Sequence, residues 1–144
     1  MIEQDTVKLL RECDSGVKMG VSSICDVLEY VHENSLRSLL TESKKHHEAL
    51  GTEIREHLDR LGDDGKDPSP MVETMSRMKT DMKLVLHESD HTIADLMTDG
   101  CNMGVKSLSR YLNQYAAADE FSKDIAKRLI SIEETLGADM RAYL

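Results

Sequence analysis

A glycine inside a helix costs about 0.8–1 kcal/mol against alanine. This chain places six of its eight glycines in stretches of strong helical periodicity. The six form three matched pairs. Gly16 and Gly20 recur 84 residues later as Gly100 and Gly104, and Gly51 recurs 86 residues later as Gly137. Their neighbours repeat as well. Met19-Gly20-Val21 matches Met103-Gly104-Val105, and Leu50-Gly51 matches Leu136-Gly137. One helical hairpin written twice accounts for the pattern. Neither copy can bury its apolar face alone, so the two copies are expected to close on each other as a four-helix bundle.

Apolar spacing carries the helical reading. Leu10, Cys13, Val17, Ile24, Val27 and Val31 mark one buried face of a first helix over about residues 2–33. A second helix, about 36–61, carries the stripe Leu36, Leu39/Leu40, Ser43, His46/His47, Leu50, Ile54, Leu58 and Leu61 and is capped by Gly62. Only Asn34 and Ser35 separate the two, which predicts an antiparallel pair. The loop GDDGKDPS follows, with Ser69 and Pro70 suited to start a helix. That helix is predicted to reach about residue 86, with Met71, Met75, Met78 and Met82 along one face. A break near His87–Ser89 leads into a helix to about Tyr115. A last helix carries Phe121, Ile125, Leu129, Ile132, Leu136, Met140 and Tyr143 on one face.

The expected organisation is one all-α domain over residues 1–144. Hairpin 1 covers 2–61, a crossover with a short fifth helix covers 62–89, and hairpin 2 covers 90–143. Two hairpins joined by one long crossover is ferritin-like topology. Equal distances from the turns set Gly16 against Gly51 and Gly100 against Gly137, with the backbones in close approach.

The net charge of −9 disfavours nucleic acid, which is bound through Lys and Arg on phosphates. No apolar run approaches the ~20 residues of a membrane span, and the start MIEQDTVKLLRE lacks the apolar core of a signal peptide. The three cysteines, Cys13, Cys25 and Cys101, show no CxxC spacing and read as free thiols in the cytoplasm. A homo-oligomer such as a dimer, or a complex with another protein, is the expected assembly.

The duplicated hairpin, the segment SLRSLLTESKKHHEALGTEIREHLDRLG and the stretch ETMSRMKTDMKLVL resemble an uncharacterised bacterial family of ferritin-like four-helix bundles, over about residues 9–143. The ending RLISIEETLGADMRAYL bears a weaker similarity to ferritin-like spore-coat proteins. Di-metal members of this fold take a Glu from each of two helices and Glu-x-x-His from each of the other two. This chain departs from that pattern. Glu53 is followed by Glu56 and His57, and Asp139 by Ala142. The acidic positions of the remaining helices align with Lys18-Met19 and Asn102-Met103. The resemblance therefore implies the fold without the oxidase chemistry. The leading expectation is a non-enzymatic oligomerising or protein-interaction module with a lost or degenerate di-metal site, no cofactor and no catalytic residue.

Three other features carry chemistry on paper. His46 and His47 lie near the core stripe, and Glu133 is the repeat counterpart of His47. Together they could hold iron or another transition metal, with Glu53, Glu56 and His57 as weaker candidates. A lone buried histidine is more often structural. The string His87-Glu88-Ser89-Asp90-His91 matches the zinc-peptidase pattern H-E-x-x-H, which needs one continuous helix. Ser89 and Asp90 are cap residues that would break it. The Met71–Met82 stripe offers thioethers to Cu(I), although methionine is also a common filler of irregular cores.

Overall fold

In the computed structural model the structure describes residues 2–69, 84 and 89–144. Among them are four α-helices and no strand: α1 (Ile2–Leu28), α2 (Asn34–Arg60), α3 (Asp90–Gln114) and α4 (Glu120–Met140). A 3-10 turn, Arg141–Tyr143, follows α4. The four helices pack as a bundle. The predicted helix over 70–86, its Met71–Met82 stripe, and His87 and Glu88 lie outside the described residues.

The helix ends show how local chemistry sets the frame. α2 stops in a Schellman motif. The Gly62 N–H donates to Asp59 O and the Asp63 N–H to Leu58 O, each at 3.0 Å. Gly62 sits at φ +72°, which glycine alone adopts freely. α3 starts at Ser89, whose hydroxyl accepts from Thr92 N at 3.1 Å. α4 starts at Asp119, whose carboxylate accepts from Ser122 N at 2.8 Å. These caps satisfy amides that have no partner inside the helix.

The first turn departs from the sequence expectation. α1 ends at Leu28, not near residue 33, and α2 already begins at Asn34. Val31 is buried and in phase, so periodicity ran on through it. The cause is tertiary. Arg37 donates to Leu28 O at 3.2 Å and to Val31 O at 2.8 Å. The Asp90 carboxylate accepts from His32 N at 2.8 Å and from Glu33 N at 2.9 Å. Partners from α2 and α3 thus replace the intrahelical bonds. Ser35 Oγ and Tyr143 Oη share a 2.6 Å hydrogen bond at this same end. At the opposite end, Ala117 N donates to Asp5 and Asp119 N to Thr6 Oγ1, at 3.0 and 2.8 Å.

Phe121 also departs from expectation. It is 42% exposed and lies against His57, with ring centroids 4.3 Å apart. The buried phase of α4 runs Ser122, Ile125, Ala126, Leu129, which leaves Phe121 one step round the helix.

The glycines face different partners from those expected. A Cβ on Gly51 would lie 3.0 Å from Val17, and one on Gly137 would lie 3.5 Å from Cys101 Cβ. Gly16 faces Leu129 of α4 at 3.4 Å, and Gly100 has nothing within 4 Å among the described residues. Each hairpin contact is offset by one residue. Glycine meets a side chain across the interface, not another glycine.

The buried apolar residues fall into two clusters stacked along the bundle. One contains Leu9, Leu10, Cys13 and Val17 of α1, with Leu50, Ile54, Leu58, Leu108, Ile125 and Leu129. The other contains Ile24 and Val27 of α1, with Leu36, Leu40, Leu84, Ile93, Met97, Leu136 and Met140. Between them, each helix contributes one residue that belongs to neither cluster: Gly20, His47, Gly104 and Glu133.

Candidate functional site

This middle layer is the most polar place in the interior. His47 is fully buried and Glu133 is 8% exposed. His47 Nε2 lies 2.7 Å from Glu133 Oε1, and His47 Nδ1 lies 2.8 Å from the carbonyl oxygen of Ser43, one turn back in α2. The glycines make the layer possible. A Cβ on Gly20 would fall 2.7 Å from the imidazole, and one on Gly104 would fall 3.5 Å from the Glu133 carboxylate. Gly20, whose helical cost needed a reason, therefore makes room for a charged pair, and Gly104 lies in ordinary contact with it.

The geometry fixes the protonation of the ring. A carbonyl oxygen accepts only, and so does an ionised carboxylate. Both ring nitrogens must then carry hydrogen, which makes His47 an imidazolium facing a carboxylate. Burial pulls the imidazole pKa down, but the hydrogen bond and charge of Glu133, with the Ser43 carbonyl, outweigh it and leave the value raised. Charge-assisted bonds of this kind are stronger than neutral ones. Cys101, also buried, sits beside the same carboxylate. Burial first, and Glu133 second, push its thiol up. Burial likewise raises Cys13, to about 12. Both behave as neutral, buried thiols, and all three cysteines are free.

The structure brings His47 and Glu133 together and leaves His46 out. His46 lies on the outer face of α2, 58% exposed, 3.4 Å from Glu42. Glu53 forms a two-pronged pair with Arg128 of α4. Glu56 is exposed, and His57 stacks on Phe121. Among the described residues, no three His, Cys, Asp or Glu side chains are grouped so as to hold a metal ion. Ser89 has extended backbone, φ −156° and ψ 158°, so no continuous helix passes through the H-E-x-x-H string.

A cleft of about 310 Å³ runs between α1 and α3 and reaches the pair. Gly16, Gly20, Gly100 and Gly104 smooth its walls, and Met19 and Met103 stand along it. His47 and Glu133 lie among its lining, together with the acids Glu12 and Asp99 and several serines, between stretches of apolar wall.

A second polar centre escaped the sequence reading. Asp14 is 2% exposed on the buried face of α1. It accepts from Lys66 N at 2.9 Å and pairs with Lys18 Nζ at 2.9 Å. Lys66 also reaches Glu12, and Lys18 reaches Asp67 at 2.8 Å. The loop after α2 is thereby clasped to α1. The signal was present: Asp14 sits in helical phase with Leu10 and Val17, where an acid needs a partner.

No family model and no curated protein matches the chain. No helix among the described residues is long and apolar enough to cross a membrane. The fold does have a counterpart among solved structures: the chain is similar to the crystal structure of a DUF305 fragment from Deinococcus radiodurans, with a TM-score of 0.74 and 14% identity, over 96% of this chain and 93% of that one.

Proposed function

We propose that this protein is a non-enzymatic, ferritin-like bundle that works as an oligomerising or protein-interaction module and has lost its di-metal site. One observation carries the reading. At the bundle's middle, where a di-metal relative would gather carboxylates and imidazoles, the polar groups present are already spent on each other. His47 has both nitrogens engaged and Glu133 is its counter-ion. Glycines occupy the matching places on α1 and α3.

Ferritin-like topology is supported by the helix ends. The Asp90 bonds put the start of α3 beside the α1–α2 turn, while the Thr6 bond puts the α3–α4 turn beside the start of α1. α2 therefore finishes at the end opposite to where α3 begins, which supports the reading of two hairpins in ferritin-like order. The likeness to the DUF305 fragment is compatible with this. Free thiols support a reducing compartment, the cytoplasm. The assembly we propose is a homo-oligomer such as a dimer, or a complex with another protein.

Metal analysis and light scattering on the natively purified protein test the reading. The expected result is sub-stoichiometric metal together with a defined oligomer or a specific protein complex. Stoichiometric, tightly held iron or manganese would overturn it, and would return attention to His47 and Glu133.

A further inference from the structure

We propose that the His47–Glu133 pair is a proton-operated latch beneath the α1–α3 cleft: the bundle's middle is closed while the pair holds its proton and loosens when that proton leaves on alkalinisation. The argument is geometric. Nδ1 faces a carbonyl oxygen and Nε2 faces a carboxylate oxygen, at 2.8 and 2.7 Å. Neither partner can donate. Two hydrogens are therefore required on the three-group chain Ser43–His47–Glu133.

Removing one hydrogen sets a bare ring nitrogen against a bare carboxylate oxygen, or leaves the Ser43 carbonyl facing a lone pair. Neither arrangement is tolerable in a dry interior. The ring cannot swing away toward α1, because Gly20 already lies against it. The relief open to the pair is water, and among the described residues the α1–α3 cleft is the cavity that both members of the pair line.

The groups around the pair are few. On α2, Ser43 presents its carbonyl, with its hydroxyl 3.5 Å from Nδ1. On α4, Glu133 is the one charge acting on the ring. On α3, the Cys101 thiol and Gly104 face Glu133. On α1, Gly20 faces the ring. The acids Glu12 of α1 and Asp99 of α3 line the same cleft, but among the described residues Glu133 is the charge that acts on the ring. Deprotonation is felt by all four helices at once because each supplies one member of the layer.

Two measurements on the full chain test the latch. Nitrogen-15 spectra of the His47 ring at pH 7 are expected to show hydrogen on both nitrogens. Amide exchange followed from pH 6 to pH 10, after correction for intrinsic chemical rates, is expected to show protection of residues 16–24 and 100–108 falling by about tenfold or more. Leu58 and Ile125, in the cluster at one end, are expected to keep theirs. Glu133→Gln is expected to abolish the pH-dependent opening, since the amide N–H can donate to a neutral Nε2 and no second ring hydrogen is then needed. A ring with one bare nitrogen at pH 7, unchanged protection up to pH 10, or simultaneous loss at Leu58 and Ile125 would each overturn the proposal. Should Glu133→Gln fail to fold, the two wild-type readouts decide it alone.

Discussion

Gly20 and His47 are sterically exclusive partners: a Cβ on the glycine would stand 2.7 Å from the imidazole. The ring is fully buried and held at both nitrogens, so it cannot yield. Gly20→Ala is therefore expected to destabilise the protein by about 1–3 kcal/mol, despite alanine's better helix propensity. Gly100 is the contrasting case. It has no neighbour within 4 Å among the described residues, so Gly100→Ala should stabilise by about 0.8–1 kcal/mol. Urea unfolding of the two variants checks the opposite signs.

Removing one member of the buried pair should cost far more than removing both. Glu133→Ala strands an imidazolium in the interior, with an expected loss of about 3–5 kcal/mol. Replacing both groups by apolar residues, His47→Leu with Glu133→Leu, is expected to be neutral or to stabilise by about 1–4 kcal/mol. Chemical denaturation of the single and double variants measures the difference. A double variant as weak as the single one would mean that the layer contributes net stability.

The pair also sets a pH dependence. The His47 pKa is raised in the folded protein. Its contribution is then complete below histidine's ordinary value near 6.5 and is lost as pH climbs through the raised value. Each unit of elevation corresponds to about 1.4 kcal/mol. Urea midpoints across pH 6–10 should fall in wild type, and should fall less in the His47→Leu, Glu133→Leu double variant.

The Asp14 clasp predicts where the chain opens first. Asp14→Ala removes the acceptor for Lys66 N and the partner of Lys18. Gly65 has φ +85°, and a side chain there would collide with the Asp14 carboxylate. Gly65→Ala is expected to cost about 1–3 kcal/mol. Limited proteolysis should cut within residues 62–69 much faster in either variant than in wild type.

Much of the frame was legible from pattern alone. The stripes from Leu10 to Val27 and from Ile125 to Met140 are buried as read, except that Val21 and Ile132 are only partly so. Gly62 and Ser89 sit at the helix ends where cap chemistry puts them. The meeting of His47 with Glu133 followed from matching the two halves of the sequence. What failed was decided by partners distant in sequence. Asp90 and Arg37 end α1 early, and no local window contains both them and Leu28. The glycine contacts missed by one residue because counting from a turn cannot resolve a third of a helical turn. His46 and His47 are adjacent letters, but about 100° of helical rotation sends one to water and the other to the middle of the protein.

The charged layer divides the interior crosswise, although the chain is built lengthwise. Four continuous rods thread two apolar clusters, with an ion pair and two glycines set between them. Repacking on one side can then proceed without disturbing the other, as repairs in one watertight hold leave its neighbour afloat. Sequence drift in this protein should accordingly be tolerated in coordinated sets confined to one compartment, with the bulkhead residues Gly20, His47, Gly104 and Glu133 changing together or not at all.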